Sequence, residues 1–394
     1  MKEQIISQGA AGCIYKYGVD CRGIQLGEDY VTKIQRNEKL SDNEAIIGKK
    51  ITQMPNYADH FAPVIECCDI NLAKYDNSEI EKCDFIQKNK QKKRTYKMCK
   101  IPYVGKNTLA DYIYDVFNYT PKQLMKTIAG TYTYLLKSLK ILADNNIIHY
   151  DIKENNVICN KSNTPIIIDF GRSFDISQIK TNIEKYEDVF FLYEPDFDYW
   201  CLDINFLMYM FNELGDKWRE QLVKEETVKG VLDDFFGKTK IAKSLQKSHI
   251  TYKDKQTTYF MKFVGKKWSA VFYELIKYVK TWDNYALAIT YLEFTIDFAT
   301  NNNANAIMKT YSELLTHIII STPDERPSVE DVISKTIELF STKIDKQTID
   351  KIHEKTHEMS KDVEFKRRLL YNYHKSKIDE LRKDEMLDTL FGGD

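Results

Sequence analysis

No run of about eighteen apolar residues occurs anywhere in the 394-residue chain, so a membrane-spanning helix is not expected. The opening MKEQIISQGAAG has too short an apolar stretch for a secretory leader. Charge of one sign is also lacking. Lys plus Arg (57) and Asp plus Glu (58) cancel to a formal charge of −1, which gives no support for nucleic acid or a membrane surface as a bulk partner. The eight cysteines, Cys13, Cys21, Cys67, Cys68, Cys83, Cys99, Cys159 and Cys201, include no CxxC pair, and the last third of the chain has none. That scatter reads as reduced thiols, neither a disulfide frame nor a zinc site. The expectation is a soluble, intracellular protein, long enough to bury a sizeable core without staples.

What is there begins with strands. EQIIS and CIYKYGV flank a glycine-bearing turn, YVTKIQ is β-branched, and further strands fit FAPVIECC and RTYKMCKIPYV. Between the last two, the polar stretch 74–93 reads as an exposed connection. Ser41-Asp42-Asn43-Glu44 matches a capping box that opens a helix through EAIIGKKI. From Thr108 the period turns helical, in LADYIYDVF and then LMKTIAGTYTYLLKSLKILADNN. Short strands follow around NVIC and PIIIDF, then mostly helices. The fold class expected is α+β, with a small antiparallel sheet and one helix over 1–104 and a mostly helical part over 105–340. A charged, helix-prone tail occupies 341–394.

Several residues carry chemistry. Ser7, Gly9, Ala10, Ala11, Gly12, Cys13, Ile14 and Tyr15 surround a turn between two strands, where small residues let backbone N–H groups approach phosphates; a plain hairpin would use the same residues. Lys33 points inward by the alternation of its strand, and a lysine facing a core calls for a partner. Glu44 is the natural one, although it is also the residue that would close the capping box. The strongest signal is the loop IHYDIKENN, with His149, Asp151, Lys153 and Asn156, followed by Asp169-Phe170-Gly171 after the next apolar strand. A carboxylate to accept a hydroxyl proton, a cation near the transferring group and oxygen ligands for magnesium are what phosphoryl transfer needs.

From about Ser7 to Ile333 the chain resembles a eukaryotic-type protein kinase, most like divergent kinases of large cytoplasmic DNA viruses. The resemblance implies a bilobal fold, with 1–104 as N-lobe and 105–340 as C-lobe. It implies Asp151 as catalytic base, Lys153 as phosphate-neutralising lysine, Asn156 and Asp169 as magnesium ligands, and Lys33 as anchor of the ATP phosphates, paired with Glu44. Manganese is an alternative metal. The residues from Ser7 to Tyr15 would cover the nucleotide, with Ser7 replacing the family's first glycine. Ile101-Pro102-Tyr103-Val104 falls at the hinge, where adenine would use the carbonyl of Pro102 and both backbone groups of Val104, so the missing N–H of proline costs nothing. Lysine at 153 resembles the serine/threonine version, implying a protein substrate with a Ser or Thr acceptor. If the likeness to viral kinases holds, the host cytoplasm or the virion is the setting.

His149, Phe170 and Gly171 would shape the site. Arg326 in PDERPS resembles the arginine that pairs with the carboxylate closing the activation segment, for which Asp203 is the choice. The buried helix aspartate that props the catalytic loop is Asp283 or, in another register, Asp198; Asp283 is nearer to Arg326 along the chain and makes about 211–280 an insertion. Tyr150 stands where the family carries an arginine that receives an activation-loop phosphate. This implies a kinase not switched by that phosphate. A nucleotide-binding scaffold without efficient transfer is the alternative, and a small-molecule phosphotransferase of related fold a third. His353-Glu354-Lys355-Thr356-His357 matches HExxH but sits among Lys346, Asp350, Lys351 and Lys361, as a solvated helix face would. The basic run from Lys88 to Arg94 reads as a charged hairpin loop.

Overall fold

The computed structural model describes residues 4–8, 12–36, 39–72, 82–89, 95–116, 120–178, 189–190, 192–215, 217–301 and 306–341. Gly9, Ala10, Ala11, positions 90–94 of the basic run and the tail from 342 with its HExxH stretch lie outside them. The chain is α+β, an antiparallel sheet in its N-terminal region and mostly helical beyond it. Two compact units divide it: Met1–Asn107 with Asn156–Asp175, and Thr108–Asn155 with Ile176–Asp394.

In the first unit come β1 (Gln4–Gln8), β2 (Gly12–Lys16), β3 (Tyr30–Arg36), helix α1 (Lys39–Ile51), β4 (Phe61–Ala62), β5 (Glu66–Ile70), helix α2 (Asp84–Asn89) and β6 (Tyr96–Pro102). Five strands form an antiparallel sheet in the order β1-β2-β3-β6-β5. Alternation sorts its side chains. Cys13, Tyr15, Ile34, Tyr96 and Met98 share one buried core, and Lys33 lies in the row that pairs Ile14, Lys33 and Cys99. The stretch between β5 and β6 is not wholly exposed: Phe85 and Ile86 of α2, with Cys83, enter that core. A smaller sheet pairs β4 in parallel with Pro165–Ile168, which runs antiparallel to Val157–Cys159.

Two expectations need correction here. Helix α1 begins at Lys39, ahead of Ser41, so Ser41 lies buried within the helix and Glu44 does not close a capping box with it. The cysteines are not a reduced set: Cys13–Cys83, Cys21–Cys68 and Cys67–Cys99 are disulfides, and Cys159 and Cys201 remain thiols. The partners are 70, 47 and 32 residues apart in the chain, so local spacing carries no sign of them. Sheet register creates the pairs: Cys67 stands directly opposite Cys99, and its neighbour Cys68, on the other face of β5, meets Cys21. The expectation of an intracellular location loses the support it drew from free thiols.

Thiol titration of the denatured, unreduced protein is therefore expected to find two thiols, rising to eight after treatment with a dithiol. Cross-links closing loops of these lengths each stabilise by about 4 kcal/mol in the chain-entropy account, so reducing all three is expected to lower the midpoint of thermal unfolding by more than about ten degrees. Eight reactive thiols without reduction would refute the pairing.

The second unit is helical. Helix α3 (Leu109–Val116) leads to α4 (Pro121–Asp144), which opens with a reciprocal capping box between Thr120 and Gln123 and with Pro121 in its first turn. After α5 (Leu202–Glu213) come α6 (Glu225–Lys238), α7 (Lys240–Ser248), α8 (Thr251–Met261) and α9 (Trp268–Leu275), all within the expected insertion. These helices pack rather than project. Phe260 stacks on Phe206 of α5 at 4.1 Å, and Val228, Phe235, Trp268 and Phe272 are buried. Helices α10 (Trp282–Asn301), α11 (Ala306–Ile320) and α12 (Val329–Ser341) complete the unit. Among the described residues no helix is long and apolar enough to cross a membrane.

Candidate functional site

Strand β3 delivers Lys33, and α1 brings Glu44 to it. The ammonium Nζ donates to both oxygens of Glu44, at 2.9 and 3.0 Å, and to Oδ1 of Asp169 at 3.3 Å. Burial, the largest influence, works against the charged amine, but Glu44 and Asp169 together outweigh it and raise its pKa above the ordinary lysine value. Lys33 is therefore a fixed positive charge at physiological pH. Gln35, two positions on and on the same face of β3, donates Nε2 to Oε2 of Glu44 at 2.7 Å, so the buried carboxylate is gripped from two sides. Sequence reasoning passed over Gln35, although its alternation with Lys33 placed a polar side chain inward.

Asp169 is in a left-handed backbone conformation (φ 63°), unusual for a residue with a side chain, and its carboxylate is about half exposed. Phe170 after it is buried and meets Phe61 edge to face at 6.1 Å. Gly171 follows in the same short helical turn. Asn156, also of this unit, is buried. Among the described residues no cluster of three or more His, Cys, Asp or Glu could hold a metal. Asn156 and Asp169 would offer one amide oxygen and one carboxylate, hard donors that suit magnesium only when phosphate oxygens and water supply the remaining positions.

Of the residues expected over the nucleotide, Ser7 is exposed on β1, Gly12 opens β2, and Ile14 pairs with Lys33 across the sheet. Gly12 is required sterically, since a Cβ there would sit 2.1 Å from the carbonyl oxygen of Ile34. The side chains of Cys13 and Tyr15 are not brought to Lys33; they belong to the core on the opposite face, and Cys13 is bonded to Cys83. Pro102 ends β6 opposite Tyr30, and Val104 follows, both half-buried.

In the second unit, Asp151 is buried and its two oxygens accept from Nζ of Lys153 at 3.0 and 2.9 Å. His149 is fully buried, and its Nδ1 accepts the Asp151 N–H at 3.3 Å. The backbone N–H groups of His149 and Tyr150 donate to the two oxygens of Asp283 at 2.7 and 2.8 Å. Burial raises the pKa of Asp283, opposed by His149 and by these backbone donors. Asp198 does something else, accepting the N–H of Ile241 at the start of α7. Tyr150, left-handed at φ 69°, is buried against Trp200, whose ring stacks on it at 5.3 Å and whose Nε1 donates to its carbonyl at 3.0 Å. Phe190 and Trp282 close the aromatic box. Asp203 and Arg326 form a buried two-pronged ion pair, at 2.8 and 3.3 Å.

No family model matches this chain, and no curated protein matches it.

Proposed function

We propose that the chain is a protein kinase that transfers the γ-phosphoryl group of ATP, with magnesium, to Ser or Thr hydroxyls of protein substrates. The observation that carries this reading is the contact of one part-buried ammonium, Lys33, with Glu44 on a helix and with Asp169 ahead of Phe170-Gly171. An ion pair serving stability alone has no need of a second, half-exposed carboxylate in a strained backbone. When bound, the nucleotide supplies the phosphoryl group and magnesium neutralises the charge around it. Asn156 and Asp169 would hold the ion, and Lys33, oriented by Glu44, would hold the phosphates. Asp151 accepts the proton of the attacking hydroxyl, and Lys153, held against it, places a positive charge beside the developing one.

Tyr150 shapes the regulation. An arginine at that place would need a phosphate to satisfy it, whereas Tyr150 is ordered by Trp200 and by the grip of Asp283 on its N–H. The loop that carries Asp151 is thus set by packing. With γ-labelled ATP and magnesium, label is expected on a basic test protein or on the chain itself, at a rate within about twofold after phosphatase treatment. No transfer to either would overturn the kinase reading, and nucleotide binding without transfer would favour a scaffold. A large loss after phosphatase would overturn the ungated site.

A further inference from the structure

The helix that carries Glu44 is tied to the segment that carries Asp169 by contacts that phosphoryl transfer does not itself require. Asn43 directs its amide Nδ2 to the carbonyl oxygens of Gly171, at 3.2 Å, and Ser173, at 2.6 Å. Lys50, seven positions along and on the same face of α1, pairs with Asp175. Ile47, between them on that face, is buried. The helix is also seated closely on its other side, where a Cβ at Gly48 would lie 2.1 Å from the carbonyl oxygen of Val64.

We infer that Asn43 is a positioning residue, which latches α1 to the Asp169–Asp175 segment so that Lys33, Glu44 and Asp169 align without a phosphate or a partner protein. The inference rests on the kinase reading for its consequence in catalysis. Two features of Asp169 give a latch something to hold. Its contact with Lys33 is long, at 3.3 Å, and half exposed, so it holds the carboxylate weakly. Its left-handed backbone stores strain that persists only where the surroundings fix it. Asn43 supplies that restraint immediately downstream, to the carbonyls of the second and fourth residues after Asp169. The amide is neutral, so the restraint is insensitive to pH and little screened by salt. Glu44, the neighbouring residue, then moves with the same rigid helix. A helix free to swing would carry Glu44 away from Lys33, and only the aligned population would be competent.

The test uses the full chain and Asn43→Asp, which keeps the size of the side chain but turns an acceptor toward two carbonyl oxygens, with Asn43→Ala as the milder variant. Hydrogen exchange reads the latch without reference to activity: amides of 171–175 are expected to exchange about tenfold faster in both variants. Unchanged exchange overturns the latch. Steady-state transfer reads its consequence: kcat is expected to fall about tenfold in Asn43→Asp with KM for ATP within about twofold, at a temperature well below unfolding. Faster exchange with an unaltered kcat in an active enzyme overturns the positioning role. A wild-type chain that transfers nothing would instead overturn the kinase reading, with exchange still deciding whether the latch exists.

Discussion

Asp151→Asn is expected to reduce phosphoryl transfer by about 10²–10⁴-fold, the contribution a positioned general base makes, while nucleotide affinity and folding stay close to those of the parent chain. The substitution is nearly isosteric, so the buried loop keeps its shape. One amide oxygen still accepts from Lys153, and His149 still accepts the backbone N–H of residue 151. What disappears is a carboxylate able to take the hydroxyl proton. The lost ion pair itself matters little to stability, because the Lys153 side chain is partly exposed and such pairs contribute about 0–1 kcal/mol. Initial rates at saturating ATP, beside the thermal midpoint of both proteins, separate the two effects. A variant rate within about threefold of the parent would remove Asp151 from its catalytic role.

Residues that lie in short contiguous strings are legible from the order of amino acids alone. The loop from His149 to Asn156, the Asp169-Phe170-Gly171 turn and the inward Lys33 each combine a residue type with a local spacing, and the contacts of Lys33 with Glu44 and of Asp151 with Lys153 join residues that such spacing singles out. The α+β order is legible for the same reason, since hydrophobic period changes from two to near four at Thr108. The pairing of Cys67 with Cys99 is not, because it depends on which strands become neighbours and in what register. The side of the sheet faced by Cys13 and Tyr15 depends on the same register: a motif groups all residues from Ser7 to Tyr15 together, whereas a pleated strand sends alternate side chains to opposite faces.

The start of α1 shows a different limit. Ser41-Asp42-Asn43-Glu44 has the composition of a capping box, yet tertiary packing extends the helix upstream to Lys39 and gives the two polar side chains other partners. Glu44 turns to Lys33 and Gln35, and Asn43 to Gly171 and Ser173. A local capping preference of about 1 kcal/mol is outweighed where burial leaves a charged lysine in need of a carboxylate. The same two residues thus serve the site rather than the helix end.

Among single substitutions, Asp203→Ala is expected to cost the most stability, about 3–5 kcal/mol, because the change strands a buried guanidinium. Arg326 and Asp203 are almost inaccessible to solvent, at 2% and 0% side-chain exposure. Burial works against the charge of Arg326, and the Asp203 carboxylate more than restores it, raising its pKa further above the ordinary value. With alanine at 203, Arg326 keeps the Thr281 hydroxyl at 3.1 Å, the sulfur of Cys201 at 3.6 Å and the Tyr285 ring, whose centroid is 5.4 Å away. None of these carries the compensating charge. Urea unfolding checks the figure, and a loss under about 1 kcal/mol would show that the guanidinium escapes to water. The consequence reaches the loop. Asp203 also accepts from Nε1 of Trp282 at 2.5 Å, and Trp282 is the first residue of α10, directly before Asp283. Asp283 in turn holds the backbone of His149 and Tyr150. Removing the Asp203 carboxylate therefore frees the end of the helix that fixes the Asp151 loop, and amides of 149–151 are expected to lose exchange protection in Asp203→Ala before the unit as a whole unfolds.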